Sequence, residues 1–210
     1  MSVRIKICGI NDAASLRAAA QAGADWIGFV FFPPSPRSVT PEQAAALAEE
    51  APGGLPRAGL FVDPTEEAIA AALGSIRLDA LQLYGRDLPI SRLRTRFGLP
   101  VWRAVGVACR DDLPARAADA DMLVIEAKSP ERANRPGGNA ASFDWSIMEG
   151  WRAPAPWALA GGLRPDNVAE AVAATGAAMV DVSSGVESQP GRKDPALIRA
   201  FIESARAASR

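Results

Sequence analysis

The sequence contains no histidine. This absence excludes Ser-His-Asp and Cys-His nucleophile pairs, and it excludes any metal site with histidine ligands. General acid–base chemistry in this chain must therefore use aspartate, glutamate, cysteine, lysine or tyrosine side chains.

Cysteine is also scarce, with only Cys8 and Cys109, which lie far apart in the sequence. The basic residues at the start are not followed by an apolar stretch long enough for a signal peptide. No run approaches the roughly 18 apolar residues of a membrane span. We therefore expect both cysteines to be reduced thiols in a cytoplasmic protein.

The sequence has no large excess of either charge, since its net charge is only -1. We therefore expect neither nucleic acid nor an acidic membrane as a partner. The 210 residues, 49% of them apolar, suit a single domain over residues 1–210 with a sizeable core. We expect a monomer or a weak homodimer.

Short apolar runs alternate with Ala-rich segments along the whole chain. The runs predict strands at Val3–Ile7, Trp26–Phe31, Ala58–Val62, Ala80–Leu83, Val101–Val107, Met122–Ile125, Trp157–Ala160 and Met179–Val182. The segments predict helices at about Asp12–Ala22, Pro41–Glu50, from Pro64 with Thr65 as N-cap, Ile90–Phe97, about Asp111–Ala118, near Asp144, Val168–Ala174 and Pro195–Ala207.

Strict alternation of eight strands with about eight helices indicates an α/β fold with a parallel sheet. We predict a (β/α)8 barrel, since the strands are apolar on both faces. A doubly wound open sheet is the rival, but it normally carries a Gly-rich fingerprint after the first strand, and only Gly9 stands there. The irregular stretch Ala127–Ser142 is interpreted as a functional loop.

Polar residues follow the predicted strands, where barrel enzymes carry their chemistry. Gly161-Gly162 follows the seventh strand, and Ser183-Ser184-Gly185 follows the eighth, where a short extra helix can begin. Either segment alone is an ordinary turn more often than an anion site. Their placement after consecutive strands favours a phosphate-binding site.

Cys8 has two interpretations. A free cysteine is most often a small buried core residue. However, Cys8 ends an apolar run, and Lys6 lies two residues earlier on the same face of the strand. A cationic neighbour would favour the thiolate and therefore a role as a base.

Three further residues have a structural and a functional interpretation. Glu126 is either an exposed carboxylate or, at the mouth of the barrel, a general acid with a raised pKa. Arg37 is either a surface residue or, held in a Pro-rich loop, a partner for a substrate carboxylate. Tyr84 is a candidate wall of the site.

The chain resembles the phosphoribosylanthranilate isomerase family over nearly its whole length. The matching segments, in order, are Lys6-Ile7-Cys8-Gly9-Ile10, Gly28-Phe29-Val30-Phe31, Ser35-Pro36-Arg37, Gly59-Leu60-Phe61-Val62-Asp63, Leu81-Gln82-Leu83-Tyr84-Gly85, Gly137-Gly138 with Phe143-Asp144-Trp145, Leu159-Ala160-Gly161-Gly162-Leu163, Asp181-Val182-Ser183-Ser184-Gly185-Val186-Glu187 and Pro190-Gly191-Arg192-Lys193-Asp194.

The resemblance implies an Amadori rearrangement of N-(5'-phosphoribosyl)anthranilate in tryptophan biosynthesis, on a barrel with no metal and no organic cofactor. It implies that Cys8 is the general base, Glu126 the general acid, and Arg37 the residue that faces the anthranilate carboxylate. The other residues that it implies are Lys6, Tyr84 and Asp181 for substrate binding, and Gly161, Gly162, Ser183, Ser184 and Gly185 for phosphate binding.

The sequence departs from the family pattern at three places. Glu126 stands where aspartate is usual, and Tyr84 stands where histidine is usual. Asn139-Ala140 replaces a small polar residue followed by glycine. Two alternatives stay open at this point: a barrel that acts on another phosphoribosyl substrate, such as a histidine-pathway isomerase, or a phosphate-ligand-binding relative with impaired catalysis.

Overall fold

Eight parallel strands form a closed barrel in sequence order in a computed structural model, which describes residues 2–50, 54–129, 137 and 142–208. The last strand pairs with the first, with Val180 opposite Ile5. This confirms the predicted fold class and excludes the doubly wound sheet. The strands are β1 (Arg4–Cys8), β2 (Trp26–Val30), β3 (Arg57–Val62), β4 (Ala80–Tyr84), β5 (Val101–Val107), β6 (Met122–Ala127), β7 (Trp157–Leu159) and β8 (Met179–Val182).

Six α-helices cover the outside of the barrel in the described part of the chain. They are α1 (Ala13–Ala22), α2 (Pro41–Glu49), α3 (Glu66–Ser75), α4 (Ile90–Phe97), α5 (Val168–Thr175) and α6 (Pro195–Ala207). Side-chain oxygens of Asp12, Thr40, Thr65 and Asp194 accept hydrogen bonds from first-turn backbone N–H groups and so fix four helix starts. Thr65 is the predicted N-cap.

The short helix predicted near Asp144 is present as the 3-10 helix Trp145–Met148, with Asp144 as its N-cap. The helix predicted over Asp111–Ala118 is wrong, since only the 3-10 turn Arg110–Asp112 forms after β5. The physical reason is local. Pro114 has no backbone N–H to donate, and Ala118 and Asp119 have φ angles of 49° and 64°, in the left-handed region that a right-handed helix excludes.

Side chains fill the interior of the barrel at the end where the strands begin. The side chains there are buried and apolar, and Trp26 packs edge-on against Trp102 with ring centroids 4.6 Å apart. A second small cluster, formed by Cys8, Val30, Leu60 and Tyr84, lies at the other end of the strands. The interior is thus closed at one end, and reactive side chains occupy the end at which the strands finish.

A two-stranded hairpin follows β8 and is not part of the barrel. It consists of β9 (Glu187–Gln189) and β10 (Arg192–Lys193). None of the helices in the described ranges is long and apolar enough to cross a membrane.

Candidate active site

A cleft opens at the carboxyl ends of the barrel strands and encloses about 770 Å³, part of it open to solvent. Its lining includes all but one of the residues that the sequence predicts for the site: Cys8, Arg37, Tyr84, Glu126, Gly161, Gly162, Asp181, Ser183, Ser184 and Gly185. Lys6 is the exception, since it lies beneath the cleft and is only 1% exposed. The fold thus brings these residues together from six different strands or their following loops.

Lys6 points into the barrel between β4 and β8. Its Nζ donates hydrogen bonds of 2.8 Å to Oδ2 of Asp181 and of 2.8 Å to Oε1 of Gln82. Burial acts to lower the pKa of Lys6, but the charges of Asp181 and Cys8 outweigh it, and the net shift is upward. Lys6 is therefore a fixed positive charge beneath the cleft. The other carboxylate oxygen of Asp181, Oδ1, is buried and has no hydrogen-bond partner among the described residues.

Cys8 is the last residue of β1 and lies directly above Lys6 on the inner face. Gly28 on β2 makes room for it, since a Cβ at position 28 would come within 2.9 Å of Cys8 Sγ. Burial raises the pKa of the Cys8 thiol, and the attraction of Lys6 only partly offsets this. The expectation that Lys6 makes Cys8 a ready thiolate needs correction, because desolvation exceeds the effect of an ammonium group that Asp181 already pairs.

Glu126 lies within β6 and not after it, because the strand runs two residues further than predicted. Its side chain is buried, and the pKa of Glu126 is raised to about 8, first by desolvation and then by the charge of Asp181. Hydrogen bonding with Tyr84 and the charge of Lys6 act in the opposite direction. The carboxyl is therefore mostly protonated at neutral pH, which is the state that a general acid needs.

Gly137 lies over the pair formed by Glu126 and Tyr84. A Cβ at position 137 would come within 2.9 Å of Tyr84 Oη and within 3.0 Å and 3.1 Å of the two carboxyl oxygens of Glu126. Glycine is therefore the residue that lets the loop after β6 approach these groups. The neighbouring Gly138 and the departure at Asn139-Ala140 lie outside the described residues.

Arg37 is held by a buried carboxylate at the edge of the cleft. Its Nε and Nη2 donate hydrogen bonds of 2.6 Å and 2.8 Å to the two oxygens of Glu187. Lys193 Nζ donates to the same carboxylate at 2.8 Å and also to the backbone oxygen of Ser183 at 3.1 Å. Although burial acts to raise the pKa of Glu187, its two cationic partners lower it overall. Arg37 Nη1 has no hydrogen-bond partner in the described part of the chain.

The loops after β7 and β8 line the cleft with glycine and serine residues. Gly161 and Gly162 have φ angles of 82° and 65°, which other residues rarely adopt. A Cβ on Gly161 would also lie 2.5 Å from the backbone nitrogen of Ala127. A short 3-10 helix, Ser184–Val186, begins after β8. These features favour an anion at this place.

Three residues of the site were not singled out from the sequence: Gln82, Glu187 and Lys193. Gln82 is two residues from Tyr84 on β4, so the two-residue period of a strand places both on the inner face. The strand period in the sequence could therefore have placed Gln82 in the site. Glu187 and Lys193 come from the hairpin after β8, and nothing in their local sequence shows that they are buried against Arg37.

Metal binding has little support in the described ranges, where no group of three or more cysteine, aspartate or glutamate side chains is placed to hold an ion.

Comparison with known proteins gives a consistent result. The family model described as N-(5'phosphoribosyl)anthranilate (PRA) isomerase matches residues 5–204. A relative from Acidiphilium cryptum, named N-(5'-phosphoribosyl)anthranilate isomerase, is 56% identical over 205 residues, which cover 98% of this chain and 99% of that protein. Another, of the same name, from Paramagnetospirillum magneticum is 53% identical and covers 98% of both chains.

Solved structures agree. Phosphoribosyl anthranilate isomerase from Thermotoga maritima superposes with a TM-score of 0.84 at 35% identity, covering 98% of this chain and 99% of that chain. A phosphoribosyl anthranilate isomerase in complex with reduced 1-(o-carboxyphenylamino)-1-deoxyribulose 5-phosphate gives a TM-score of 0.79 at 33% identity, with the same coverage. By its sequence over nearly its full length and by its barrel, the chain belongs to the N-(5'-phosphoribosyl)anthranilate isomerase family.

Proposed function

We propose that this chain converts N-(5'-phosphoribosyl)anthranilate to 1-(2-carboxyphenylamino)-1-deoxyribulose 5-phosphate in tryptophan biosynthesis. The observation that carries the proposal is the buried Glu126, protonated at neutral pH, which shares one cleft with the buried thiol of Cys8. The chain's membership of the isomerase family, which its sequence shows, supports the same reaction.

In the first step, Glu126 donates its proton to the furanose ring oxygen. The bond between that oxygen and C1 breaks, and the nitrogen lone pair forms a protonated Schiff base at C1. This cation develops in a cleft where burial disfavours the charged form of Cys8. A positive charge on the substrate stabilises the thiolate, and the raised pKa of Cys8 falls at the moment when a base is required.

As the cation forms, the Cys8 thiol releases its proton to the solvent. In the second step, the resulting thiolate removes the proton from C2, and the electron pair of the C2–H bond neutralises the Schiff base to give an enolamine. The enolamine then becomes the ketone, as C1 gains a proton and the C2 hydroxyl loses one. Lys6 and Asp181 form a fixed ion pair beneath the reacting carbons. The unpartnered Oδ1 of Asp181 is available to accept a hydrogen bond from a sugar hydroxyl.

The two charged ends of the substrate are held by different loops of the cleft. Gly161, Gly162, Ser183, Ser184 and Gly185 bind the phosphate, and the Nη1 edge of Arg37 binds the anthranilate carboxylate. Tyr84 contributes to the wall beside the reacting sugar. The reaction needs no cofactor, since every transfer is that of a proton.

The partners and location follow from this chemistry. The ligand is a small phosphorylated molecule and not a nucleic acid, in keeping with a net charge of -1. The chain acts in the cytoplasm as a monomer or weak homodimer. The Thermotoga maritima relative is described as a dimer from which monomers were generated, so both states occur on this fold.

Freshly generated phosphoribosylanthranilate tests the proposal through the loss of anthranilate fluorescence. We expect turnover by the unaltered chain and a loss of at least about 10²-fold in Cys8→Ala, because no other group replaces the base. Cys109→Ala is the matched control, since Cys109 is exposed outside the cleft, and it keeps full turnover.

Substitution of Glu126 completes the test. Glu126→Ala loses turnover, whereas Glu126→Asp stays active because it retains a carboxyl group. Full turnover of Glu126→Ala would show that Glu126 is not the general acid. Unchanged turnover of Cys8→Ala would show that Cys8 is a core residue and not the general base. If the unaltered chain shows no turnover but binds a product analogue tightly, it is a binding protein and the proposed function is wrong.

A further inference from the structure

Lys193 is a buried cation on β10 that lies behind the loop following β8 and does not line the cleft. Its side chain is 0% exposed. Its Nζ donates hydrogen bonds to Glu187 Oε1 at 2.8 Å, to the backbone oxygen of Ser183 at 3.1 Å and to the hydroxyl oxygen of Ser183 at 3.3 Å. Each of the three ammonium protons therefore has an acceptor, and two of these acceptors belong to Ser183.

The two contacts with Ser183 set the directions of two hydrogen-bond donors. Because an ammonium group only donates, the Ser183 hydroxyl accepts in this contact and keeps its own proton for another acceptor. The Ser183 carbonyl is held toward Lys193, and in a planar trans peptide the N–H points opposite to the carbonyl. The N–H of Ser184 therefore points away from Lys193. Ser183 and Ser184 both line the cleft, so an anion bound there can accept from both donors.

The charge of Lys193 matters because the cleft has few cations. Arg37 is the only cationic side chain among the described residues that line it. Arg37 and Lys193 share the carboxylate of Glu187, so two cations and one anion leave one positive charge in this buried cluster. Burial lowers the pKa of Lys193, and the charge of Glu187 partly offsets this effect. An anion beside Ser183 would further stabilise the ammonium form.

We propose that Lys193 is a positioning residue for the phosphate group of the substrate: it orients the Ser183 hydroxyl and the peptide between Ser183 and Ser184, and it places a buried positive charge behind them. The inference rests on the proposed function, because it takes the phosphate of that substrate as the group that is recognised. The hairpin after β8 then acts on both ends of the substrate, through Lys193 on the phosphate and through Glu187 and Arg37 on the carboxylate.

Two forms of one ligand test the proposal, because they differ only in the phosphate group. They are reduced 1-(o-carboxyphenylamino)-1-deoxyribulose 5-phosphate and the same molecule without its phosphate, and isothermal titration calorimetry gives the Kd of each. In Lys193→Met we expect the phosphorylated form to bind about tenfold more weakly, while the Kd of the other form changes by less than about twofold. A merely structural role of Lys193 would weaken the binding of both forms alike.

Arg192→Ala is the matched control, because Arg192 is an exposed cation next to Lys193 on the same strand and does not line the cleft. We expect it to bind each form within about twofold of the unaltered chain. Lys193→Gln is a second variant for the case that Lys193→Met does not fold, since its amide keeps hydrogen-bond donors but no charge. Ser183→Ala removes the hydroxyl that Lys193 orients, and we expect it to weaken only the phosphorylated form.

Kinetics add an independent measurement. We expect KM to rise about tenfold in Lys193→Met and kcat to change less than about threefold, because the phosphate takes no part in the reacting bonds and is held equally before and during the reaction.

Equal weakening of both ligand forms in Lys193→Met, or unchanged binding of the phosphorylated form, overturns the proposal. An unaltered chain that does not distinguish the two forms also overturns it. If the unaltered chain has no turnover but binds the phosphorylated form more tightly, the proposed function fails on its own, and the two Kd values still decide the role of Lys193.

Discussion

At the scale of single residues, the protonation state of Glu126 is set by its surroundings and not by its type. The carboxyl loses its hydration on the inner face of β6 and lies near the charge of Asp181, and both effects favour the neutral form. The same burial makes ionisation of Glu126 costly to the folded state.

This cost predicts a pH-dependent stability. The pKa of Glu126 is about 8 in the folded protein against 4.5 for an ordinary glutamate, so the folded state binds more protons between these values. The free energy of unfolding therefore falls as the pH rises from about 4.5 to about 8, by on the order of a few kcal/mol. Glu126→Gln removes this dependence and becomes the more stable protein near pH 8.

Urea unfolding of both proteins at about pH 5 and at about pH 8 measures the effect, since other titrating groups cancel in the difference. An identical difference between the two proteins at both pH values would contradict the raised pKa of Glu126.

Glu126 and Tyr84 are also two of the positions at which the sequence departs from the family pattern. A Cβ at position 137 would lie 2.9 Å from Tyr84 Oη and 3.0 Å from a carboxyl oxygen of Glu126, so the two departures lie side by side beneath Gly137.

At the scale of elements, the hairpin formed by β9 and β10 carries the partners of Arg37. Gly191, at the turn, has a φ angle of 80°, and its N–H donates to Glu187 at 3.1 Å. Asn11 Nδ2 donates to the Gly191 carbonyl at 2.9 Å. Hydrogen bonds to the hairpin therefore connect the loops after β1 and β2 to the segment that follows β8. Glu187 supplies the negative charge in these contacts.

Glu187→Gln leaves the buried cations of Arg37 and Lys193 without their shared anion. We expect a loss of about 3 kcal/mol in the free energy of unfolding, because unpaired buried charges are costly. We also expect KM to rise about tenfold with a smaller change in kcat, because Arg37 loses its fixed orientation.

Urea unfolding and steady-state kinetics check both effects. Ser188→Ala is the control on the same strand: Ser188 is exposed, and its loss should change stability by less than about 0.5 kcal/mol. A Glu187→Gln protein with normal stability and normal KM would show that Arg37 does not depend on Glu187.

At the scale of the whole molecule, the C-terminal helix α6 is attached to the end of the barrel opposite the cleft. Arg206 donates hydrogen bonds to the carbonyls of Val3 and Gly23 and to Asp25 Oδ2, the last at 2.8 Å. Asp25 also accepts from the backbone N–H of Ile5 at 2.7 Å. This contact joins the last helix to the first strand, next to the closure of the barrel between β1 and β8.

Arg206→Ala removes these contacts. We expect a loss of about 2 kcal/mol in the free energy of unfolding, since a half-buried ion pair and two hydrogen bonds to carbonyls disappear together. We expect kcat and KM to stay unchanged well below the melting temperature, because the site lies at the other end of the strands.

Thermal unfolding and kinetics at a low temperature separate the two effects. Arg199→Ala, an exposed position on the same helix, is the matched control and should change stability by less than about 0.5 kcal/mol. Altered kinetics in Arg206→Ala would mean that closure of the barrel at its base is coupled to the cleft. The organisation of residues 1–210 as one domain stays a prediction.

The sequence by itself determined the features that depend on local order along the chain. Short runs apolar on both faces predicted all eight strands, because parallel strands covered by helices bury both faces. The two-residue period placed Lys6 and Cys8 on one face of β1. Residues that follow strands then shared one cleft, as the carboxyl ends of parallel strands must. The motifs of the family resemblance predicted which residues act as acid, base and phosphate-binding loops, and these roles stay predictions.

Only the tertiary structure decided what depends on distant neighbours. Arg37 and Glu187 are 150 positions apart, and Lys6 and Asp181 are 175 apart, so no local pattern pairs them. The direction of the pKa shift of Cys8 also needed the structure, because desolvation depends on how closely the barrel packs around the thiol. Charge and burial act through space, and the fold alone sets those distances.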